Sequence, residues 1–159
     1  MVKIITFDVD GTLVYGIDYI WKLFHEHFKN YEEANFYTKS YFSGKISYDE
    51  WVKEHLNLTL NKNGINEEGL INLIKDKTYL LKNTKETLEQ LRFEGYKLAV
   101  LSGSLNLTLK SHGLEKYFDI IFINKLFIEN NNSWYYKATE YDLEKKGEGI
   151  SQIASYFNT

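Results

Sequence analysis

The chain has 159 residues, 43% of them apolar and 26% charged, a composition typical of one globular domain, or of one domain with an insertion, and unlike that of a disordered chain. Its net charge of −3 and its single arginine, Arg92, argue against a nucleic-acid partner, because bidentate contacts to phosphates and base edges are nearly absent. Because there is no cysteine, disulfide bonds and thiolate metal sites are excluded.

Two features of the sequence bear on where the protein is found. An acidic residue at position 8 comes too early for the apolar region of a signal peptide. No apolar stretch approaches the roughly 20 residues that a membrane-spanning helix needs. We therefore expect a cytoplasmic protein without membrane contacts.

In chain order, the first predicted elements are one strand and a run of helices. The short, apolar and β-branched segment 2–7 predicts a buried strand that ends at Asp8. From position 17 onward, large apolar side chains recur at the spacing of an amphipathic helix, and these are Ile17, Ile20, Trp21, Phe24 and Phe28. Residues 17–80 as a whole are predicted to be mostly helical and rich in aromatic side chains.

Three more helices are predicted within this segment. One covers residues 31–42 and ends before Gly44. The next begins at a capping box formed by Ser47 and Glu50 and is expected to bury Trp51, Val52, His55 and Leu56. The last covers residues 66–76.

Strands and helices alternate in the second half of the chain. Asn83 and Glu86 predict another capping box, for a helix that ends near Gly95. Segment 96–104 predicts a second buried strand that ends in Ser-Gly-Ser, and 105–113 predicts a short helix.

The last predicted elements are a strand, a hairpin and a helix. Segment 118–141 predicts a strand and then a hairpin that turns at residues 130–132. Segment 148–157 predicts a helix with one apolar stripe, formed by Ile150, Ile153, Ala154 and Phe157.

This order of elements predicts an α/β fold with a Rossmann-like parallel sheet. We expect residues 1–16 and 81–159 to form the α/β core. Residues 17–80 are expected to form a helical cap, inserted between the first two strands.

Acidic and hydroxyl side chains follow the two predicted strands. Asp8 and Asp10 come after the first strand, and Ser102 and Gly103 come at the end of the second. In open α/β sheets, ligands bind beyond the carboxyl ends of the strands. If the two strands are parallel neighbours, the two acids and the whole Ser-Gly-Ser segment, with Ser104, meet in one crevice.

The residue types in this crevice suit chemistry on a phosphate ester. A carboxylate such as Asp8 is ionised at neutral pH and can attack phosphorus to form an acyl phosphate. Asp10 could donate and then accept the proton of the leaving group. Attack of one anion on another needs a countercharge, for which we expect Mg²⁺ bound through hard oxygens.

Four segments resemble the haloacid dehalogenase superfamily of phosphohydrolases. DVDGT at 8–12 resembles its first motif, Asp-x-Asp-x-Thr, and KLAVLSGS at 97–104 resembles its second. EKKGEGI at 144–150 is similar to the lysine-bearing third motif of the phosphoserine phosphatase-like branch. YFSGKISYDEW at 41–51 resembles the helical cap of that branch.

The resemblance implies a role for each matching residue. Asp8 would be the nucleophile and a Mg²⁺ ligand, and Asp10 the acid/base and a second ligand through its backbone carbonyl. The residues implied to support the phosphate-binding loop or to hold the phosphate are Thr12, Ser102, Gly103 and Lys146. The implied activity is a Mg²⁺-dependent phosphomonoesterase that acts on a small phosphorylated metabolite through an aspartyl-phosphate. Lys137 and Lys145 lie near Lys146 in the sequence, so the lysine is the least specific of these matches.

Two departures from the family pattern leave alternatives open. The fourth motif, an acidic pair after another strand, has no match in the 13 residues after Lys146, so the chain is either a fragment or a short form with a weakened metal site. The predicted cap contains no arginine, and the family uses a cap arginine for phosphoserine. The alternative functions are therefore a degenerate relative that binds phosphate ligands with little or no turnover, and phosphoryl transfer to an acceptor other than water.

Other residue types receive a structural interpretation. The histidines lack metal-binding spacing, and half-buried or surface positions are expected for His25, His27, His55 and His112. The aromatic residues of the helical segment are interpreted as its core.

Overall fold

A computed structural model describes residues 2–129, 133–139, 141 and 145–158. Its strands are Ile4–Phe7 (β1), Lys97–Leu105 (β2), Ile120–Ile128 (β3) and Trp134–Lys137 (β4). They form one sheet in the order β1-β2-β3-β4. The β1–β2 and β2–β3 pairs are parallel, and β3–β4 is an antiparallel hairpin whose predicted turn lies outside the described residues.

Seven α-helices are described. They are Ile20–Phe28 (α1), Tyr31–Phe42 (α2), Tyr48–Leu56 (α3), Glu67–Lys77 (α4), Thr84–Phe93 (α5), Asn106–His112 (α6) and Lys146–Tyr156 (α7). A π-helical turn, Asn57–Asn61, continues α3, and a 3₁₀ turn, Glu115–Tyr117, precedes β3. The order of strands and helices confirms the predicted α/β fold. None of the described helices is long and apolar enough to cross a lipid bilayer.

Helices cover both faces of the parallel strands. Along β2, Leu98 and Val100 pack with residues of α5 and α6, whereas Ala99 and Leu101 pack with Ile153 of α7. This alternation follows from the two-residue period of a strand, which sends successive side chains to opposite faces. Burial on both faces explains why β2 is an almost continuous apolar run.

Helices α1 to α4, with the π-helical turn, form a helical block between β1 and α5. Its core contains Trp21, Phe24 and Trp51 and extends onto the β3–β4 hairpin through Trp134. The Trp134 indole N–H donates to the carbonyl of Ile65 at 2.7 Å. The block is therefore packed against the hairpin as well as joined to the chain on either side of it.

The chain enters and leaves the helical block at one place. Tyr15 and Tyr79 form an isolated antiparallel bridge, with backbone hydrogen bonds of 2.8 and 2.9 Å and stacked rings. Gly16 follows with φ of +96°, and a Cβ there would lie 2.7 Å from the carbonyl oxygen of Lys77. Glycine is required at this crossing because a side chain would be both strained and obstructed.

Both predicted helix starts are found, but only one of the two predicted capping boxes is present. The side chain of Ser47 accepts from the backbone N–H of Glu50, and Glu50 accepts from the backbone N–H of Ser47, so that capping box is present. Asn83 has φ of +66° and its side chain makes no capping bond. A capping side chain needs extended backbone at the N-cap residue, and the left-handed conformation of Asn83 prevents this.

The last helix differs from its prediction at two points. It begins at Lys146, earlier than the predicted 148. Ile153 is buried, but Ile150 is 48% exposed, so the predicted stripe does not face the sheet as a whole. Gly149 supplies the close contact instead, because a Cβ there would lie 2.8 Å from Leu101 Cδ1 and 2.8 Å from Tyr141 Cβ.

The glycines of α7 provide a matched test of this packing. Gly149→Ala should lower the free energy of unfolding by about 1–3 kcal/mol, since the helix must shift away from β2 to fit the methyl group. Gly147→Ala meets nothing within 4 Å and should leave stability unchanged or raise it by up to about 1 kcal/mol. Urea denaturation followed by circular dichroism measures both variants. Equal effects of the two substitutions would contradict the close packing of α7.

Candidate active site

The ends of β1 and β2 form one side of a cleft with a volume of about 420 Å³. β1 ends at Phe7, immediately before Asp8, and pairs with β2 through Phe7 and Val100. The residues that line this side of the cleft are Asp8, Asp10, Ser102, Gly103, Ser104 and Lys146. The predicted meeting of the acids with the Ser-Gly-Ser segment is thus found in the structure.

The carboxylate of Asp8 is held by three neighbours. Its Oδ1 accepts from the backbone N–H of Val9 at 2.8 Å, and its Oδ2 lies 3.2 Å from the Lys146 ammonium. Partial burial raises the pKa of Asp8, but the Ser102 hydroxyl, the Val9 N–H and the positive Lys146 outweigh it, so the pKa is lowered overall. Asp8 is therefore an ionised carboxylate at neutral pH.

Asp10 lies in a more enclosed environment. The Ser104 hydroxyl donates to its Oδ1 at 2.6 Å, and the backbone N–H of Ile20, the first residue of α1, donates to its Oδ2 at 3.1 Å. Burial raises the pKa of Asp10 to about 6, with a smaller contribution from the nearby Asp8 charge, although both hydrogen bonds oppose the rise. The two carboxyl groups, which are separated by one residue in the sequence, thus have pKa values shifted in opposite directions.

The backbone between the acids and α1 turns tightly. The carbonyl of Val9 accepts from the N–H groups of Thr12, Leu13 and Val14 at 2.9–3.1 Å. Gly11 has φ of +74°, which glycine adopts without strain. Thr12 is exposed and is not among the residues that line the cleft. Its predicted role in supporting the loop remains a prediction.

Lys146 is the lysine that reaches the acids. It is the first residue of α7, and its ammonium forms an ion pair with Asp8. Lys145 and Lys137 are exposed, and neither lines the cleft. The packing of α7 against β2 through Gly149 places the start of this helix beside the end of β1.

Ser104 lies in the cleft, as expected for the Ser-Gly-Ser segment, but its hydrogen bond to Asp10 was not predicted. β2 continues through the Ser-Gly-Ser segment to Leu105, and its register against β3 shifts between Ser102 and Leu105. Ser102 and Ser104 both contribute to the cleft, since residues two apart along a strand point to the same face. The signal in the sequence was the second serine of the Ser-Gly-Ser segment, which was assigned no role.

The acids can be tested for their fit to Mg²⁺. This ion is usually held in proteins by one or two carboxylates together with waters and substrate phosphates. Asp8 supplies a carboxylate to the cleft and the backbone carbonyl of Asp10 would supply a second hard oxygen, so the donor chemistry fits. No group of three or more His, Asp or Glu residues able to hold a metal occurs among residues 2–129, 133–139, 141 and 145–158.

Residues 2–146 match the family model of the haloacid dehalogenase-like hydrolases. The chain belongs to this family. The described geometry agrees with that assignment, because the matched segment includes both acids, the serines and the lysine of the cleft. No curated protein matches the sequence.

Solved structures of a family hydrolase and of phosphoserine phosphatases share the fold. A family hydrolase from Salmonella enterica serovar Typhi is 19% identical with a TM-score of 0.72, covering 98% of this chain and 52% of its own. A substrate-bound phosphoserine phosphatase is 22% identical with a TM-score of 0.66, covering 99% and 73%. A phosphoserine phosphatase from T. onnurineus is 20% identical with a TM-score of 0.62, covering 98% and 72%. The chain therefore spans about half the length of the Salmonella hydrolase and about three quarters of the two phosphatases.

Proposed function

We propose that this hydrolase is a phosphomonoesterase that acts on a small phosphorylated metabolite through an aspartyl-phosphate on Asp8. The observation that carries the proposal is the placing of an ionised carboxylate, a lysine and two serines at the carboxyl ends of adjacent parallel strands. The substrates named for the phosphoserine phosphatases above add support for chemistry on phosphate esters.

In the first step, Asp8 would attack phosphorus. A new bond forms between a carboxylate oxygen and phosphorus, and the bond from phosphorus to the ester oxygen breaks. The donors available to the phosphate oxygens are the Ser102 hydroxyl, the Gly103 N–H and the Lys146 ammonium. Lys146 pairs with Asp8 at 3.2 Å in the free enzyme, so its charge lies where the phosphate must arrive.

In the second step, Asp10 would handle the proton. It gives its proton to the leaving oxygen and then takes one from the water that attacks the aspartyl-phosphate, which releases inorganic phosphate and restores the Asp8 carboxylate. Ser104 and the N–H of Ile20 hold the Asp10 carboxyl group in position for both transfers.

Asp8 and Asp10 are the residues that would hold Mg²⁺. When bound, this ion would supply positive charge that reduces the repulsion between the attacking carboxylate and the phosphate dianion. We also propose that residues 17–80 act as a cap, because helices α1 to α3 contribute the other side of the cleft.

A second candidate is a relative that binds phosphate ligands with little turnover. The observation in its favour is the acid content of the cleft, whose described lining holds only Asp8, Asp10 and the outlying Asp18. A site with so few carboxylates binds Mg²⁺ more weakly than one with additional acidic ligands. The serines and Lys146 could then still bind a phosphate ligand while hydrolysis is slow.

One titration separates the two candidates. Hydrolysis of p-nitrophenyl phosphate is measured from zero Mg²⁺, in the presence of EDTA, to concentrations well above cellular levels, while phosphate binding is measured by calorimetry on the same preparation. Turnover that rises with Mg²⁺ and is abolished by EDTA is expected for the phosphatase. Phosphate binding without turnover at any Mg²⁺ concentration would reject the phosphatase and support the binding protein.

A further inference from the structure

The helical side of the cleft has an aromatic wall. Five aromatic side chains from α1, α2, α3 and the segment before α1 line it, and these are Tyr19, Trp21, Phe42, Tyr48 and Trp51. We propose that this wall selects phosphomonoesters whose leaving group is neutral, apolar and flat. The inference rests on the proposed function, since the phosphate of such a ligand would occupy the strand ends.

The wall is held in a fixed arrangement. Trp21 and Trp51 are 4% and 8% exposed, so only limited parts of their rings face the cleft. The Trp51 indole N–H donates to the Thr38 hydroxyl at 3.2 Å, and its ring stacks on Tyr41 with centroids 5.3 Å apart. The hydroxyl of Tyr48 is within 3.0 Å of that of Tyr136. Rigid ring surfaces suit flat apolar groups, which gain both area burial and ring–ring contacts.

The charges of the cleft disfavour a carboxylated leaving group. Lys146 is the only cation among the described lining residues, and it lies on the phosphate side. The single arginine, Arg92, donates instead to the Tyr117 carbonyl and to Asp119. An amino-acid carboxylate placed against the aromatic wall would lose hydration without gaining a cationic partner.

The charges also favour a neutral over a cationic leaving group. Aromatic side chains attract quaternary ammonium groups when they enclose them, and a nearby acid strengthens the attraction. Among the described residues that line the helical side of the cleft, Asp18 is the only acid, but it is largely exposed and forms an ion pair with Lys22. Its negative charge is already compensated by this lysine.

Phe42 is the residue of the wall that can be tested without disturbing the fold. It is the last residue of α2, it is 71% exposed, and it lines the cleft. An apolar ligand would cover this ring. Phe36 is a matched control because it lies on the same helix and is 67% exposed but does not line the cleft.

The test compares esters of primary alcohols, of which 2-phenylethanol and n-propanol have similar basicity. For 2-phenylethyl phosphate, kcat/KM should exceed that for n-propyl phosphate by about tenfold and that for O-phospho-L-serine by about 100-fold. Phe42→Ala should reduce the preference for the phenylethyl over the propyl ester by about three- to tenfold, and Phe36→Ala should leave it unchanged. Equal kcat/KM values for the phenylethyl and propyl esters, or faster hydrolysis of phosphoserine or choline phosphate, would overturn the inference. Neither result would contradict the proposed phosphatase activity.

A binding measurement keeps the inference separate from turnover. Titration with 3-phenylpropylphosphonate and butylphosphonate, followed by the fluorescence of the cleft tryptophans Trp21 and Trp51, needs no chemistry. If no ester is hydrolysed, the proposed function fails. The inference about the aromatic wall would still be supported if the protein binds the phenyl phosphonate more tightly than the butyl one and if Phe42→Ala removes this difference in affinity. Equal affinities for the two phosphonates would overturn it.

Discussion

Asp8→Asn should reduce hydrolysis of p-nitrophenyl phosphate by about ten-thousand-fold or more, because the amide cannot attack phosphorus and no other described lining residue takes its place. Folding should be retained. The side chains of Asp8 and Lys146 are 42% and 44% exposed, and ion pairs with this exposure contribute about 0–1 kcal/mol to stability. Steady-state kinetics at saturating Mg²⁺, with circular dichroism to verify folding, measure the effect.

Asp18→Asn is the matched control for this variant. The same chemical change is made to an acid that lines the same cleft but is largely exposed and paired with Lys22. Its turnover should stay within about threefold of the unmodified protein, since exposed ion pairs contribute little. Turnover of Asp8→Asn within tenfold of the unmodified protein would reject Asp8 as the nucleophile.

Acidification is expected to destabilise the helical block through a buried pair of histidines. His25 and His55 are 1% and 2% exposed and hydrogen-bond to each other. His25 Nδ1 hydrogen-bonds to the side-chain oxygen of Asn30 at 2.7 Å. His55 Nε2 lies 3.4 Å from the Thr38 hydroxyl. Burial lowers the pKa of both rings, and for His55 burial together with the neighbouring His25 lowers it to about 3.

The sign of the effect follows from proton uptake. Between pH 6.5 and pH 3 the unfolded chain binds a proton on His55 while the folded protein does not, so stability falls as the pH is lowered through this window. For one histidine that stays neutral in the folded state, the loss between pH 6.5 and pH 4 is up to about 3 kcal/mol. Urea denaturation at several pH values, followed by tryptophan fluorescence, measures it, since Trp21 and Trp51 both contact His55.

Two substitutions isolate the contribution of the pair. His55→Gln should reduce the dependence of unfolding free energy on pH, whatever its stability at pH 7. His27→Gln, on the exposed face of α1, should retain the pH dependence of the unmodified protein. The same pH dependence in all three proteins would mean that carboxyl groups, not these histidines, cause the acid sensitivity.

The position of these histidines also marks a limit of sequence reasoning. All four were expected at half-buried or surface positions, although the helical pattern around Trp51 also predicted a buried His55, which is confirmed. The burial of His25 was not predicted, and it arises because the two rings hydrogen-bond to each other across 30 residues of the chain. A buried polar pair of this kind depends on how α1 meets α3. Local periodicity carries no information about that contact.

The features predicted correctly were those set by local pattern and strand order. The apolar runs of β1 and β2 predicted that the acids and the Ser-Gly-Ser segment lie at one edge of a parallel sheet, and Asp8 and Ser102 do line the same cleft there. The features that were missed depend on tertiary contacts. Asn83 took a left-handed conformation, the Ser104 hydroxyl came within hydrogen-bond distance of Asp10, and Trp134 joined the hairpin to the helical block.

The bridge between Tyr15 and Tyr79 has a consequence for how such a protein can diversify. Since the polypeptide departs from the sheet layer and returns to it through two directly paired residues, everything between them can change in length or content while the order of strands stays the same. The same sheet, with the same residues at its strand ends, can then carry different inserted segments, and each segment would form a different surface for the ligand to contact.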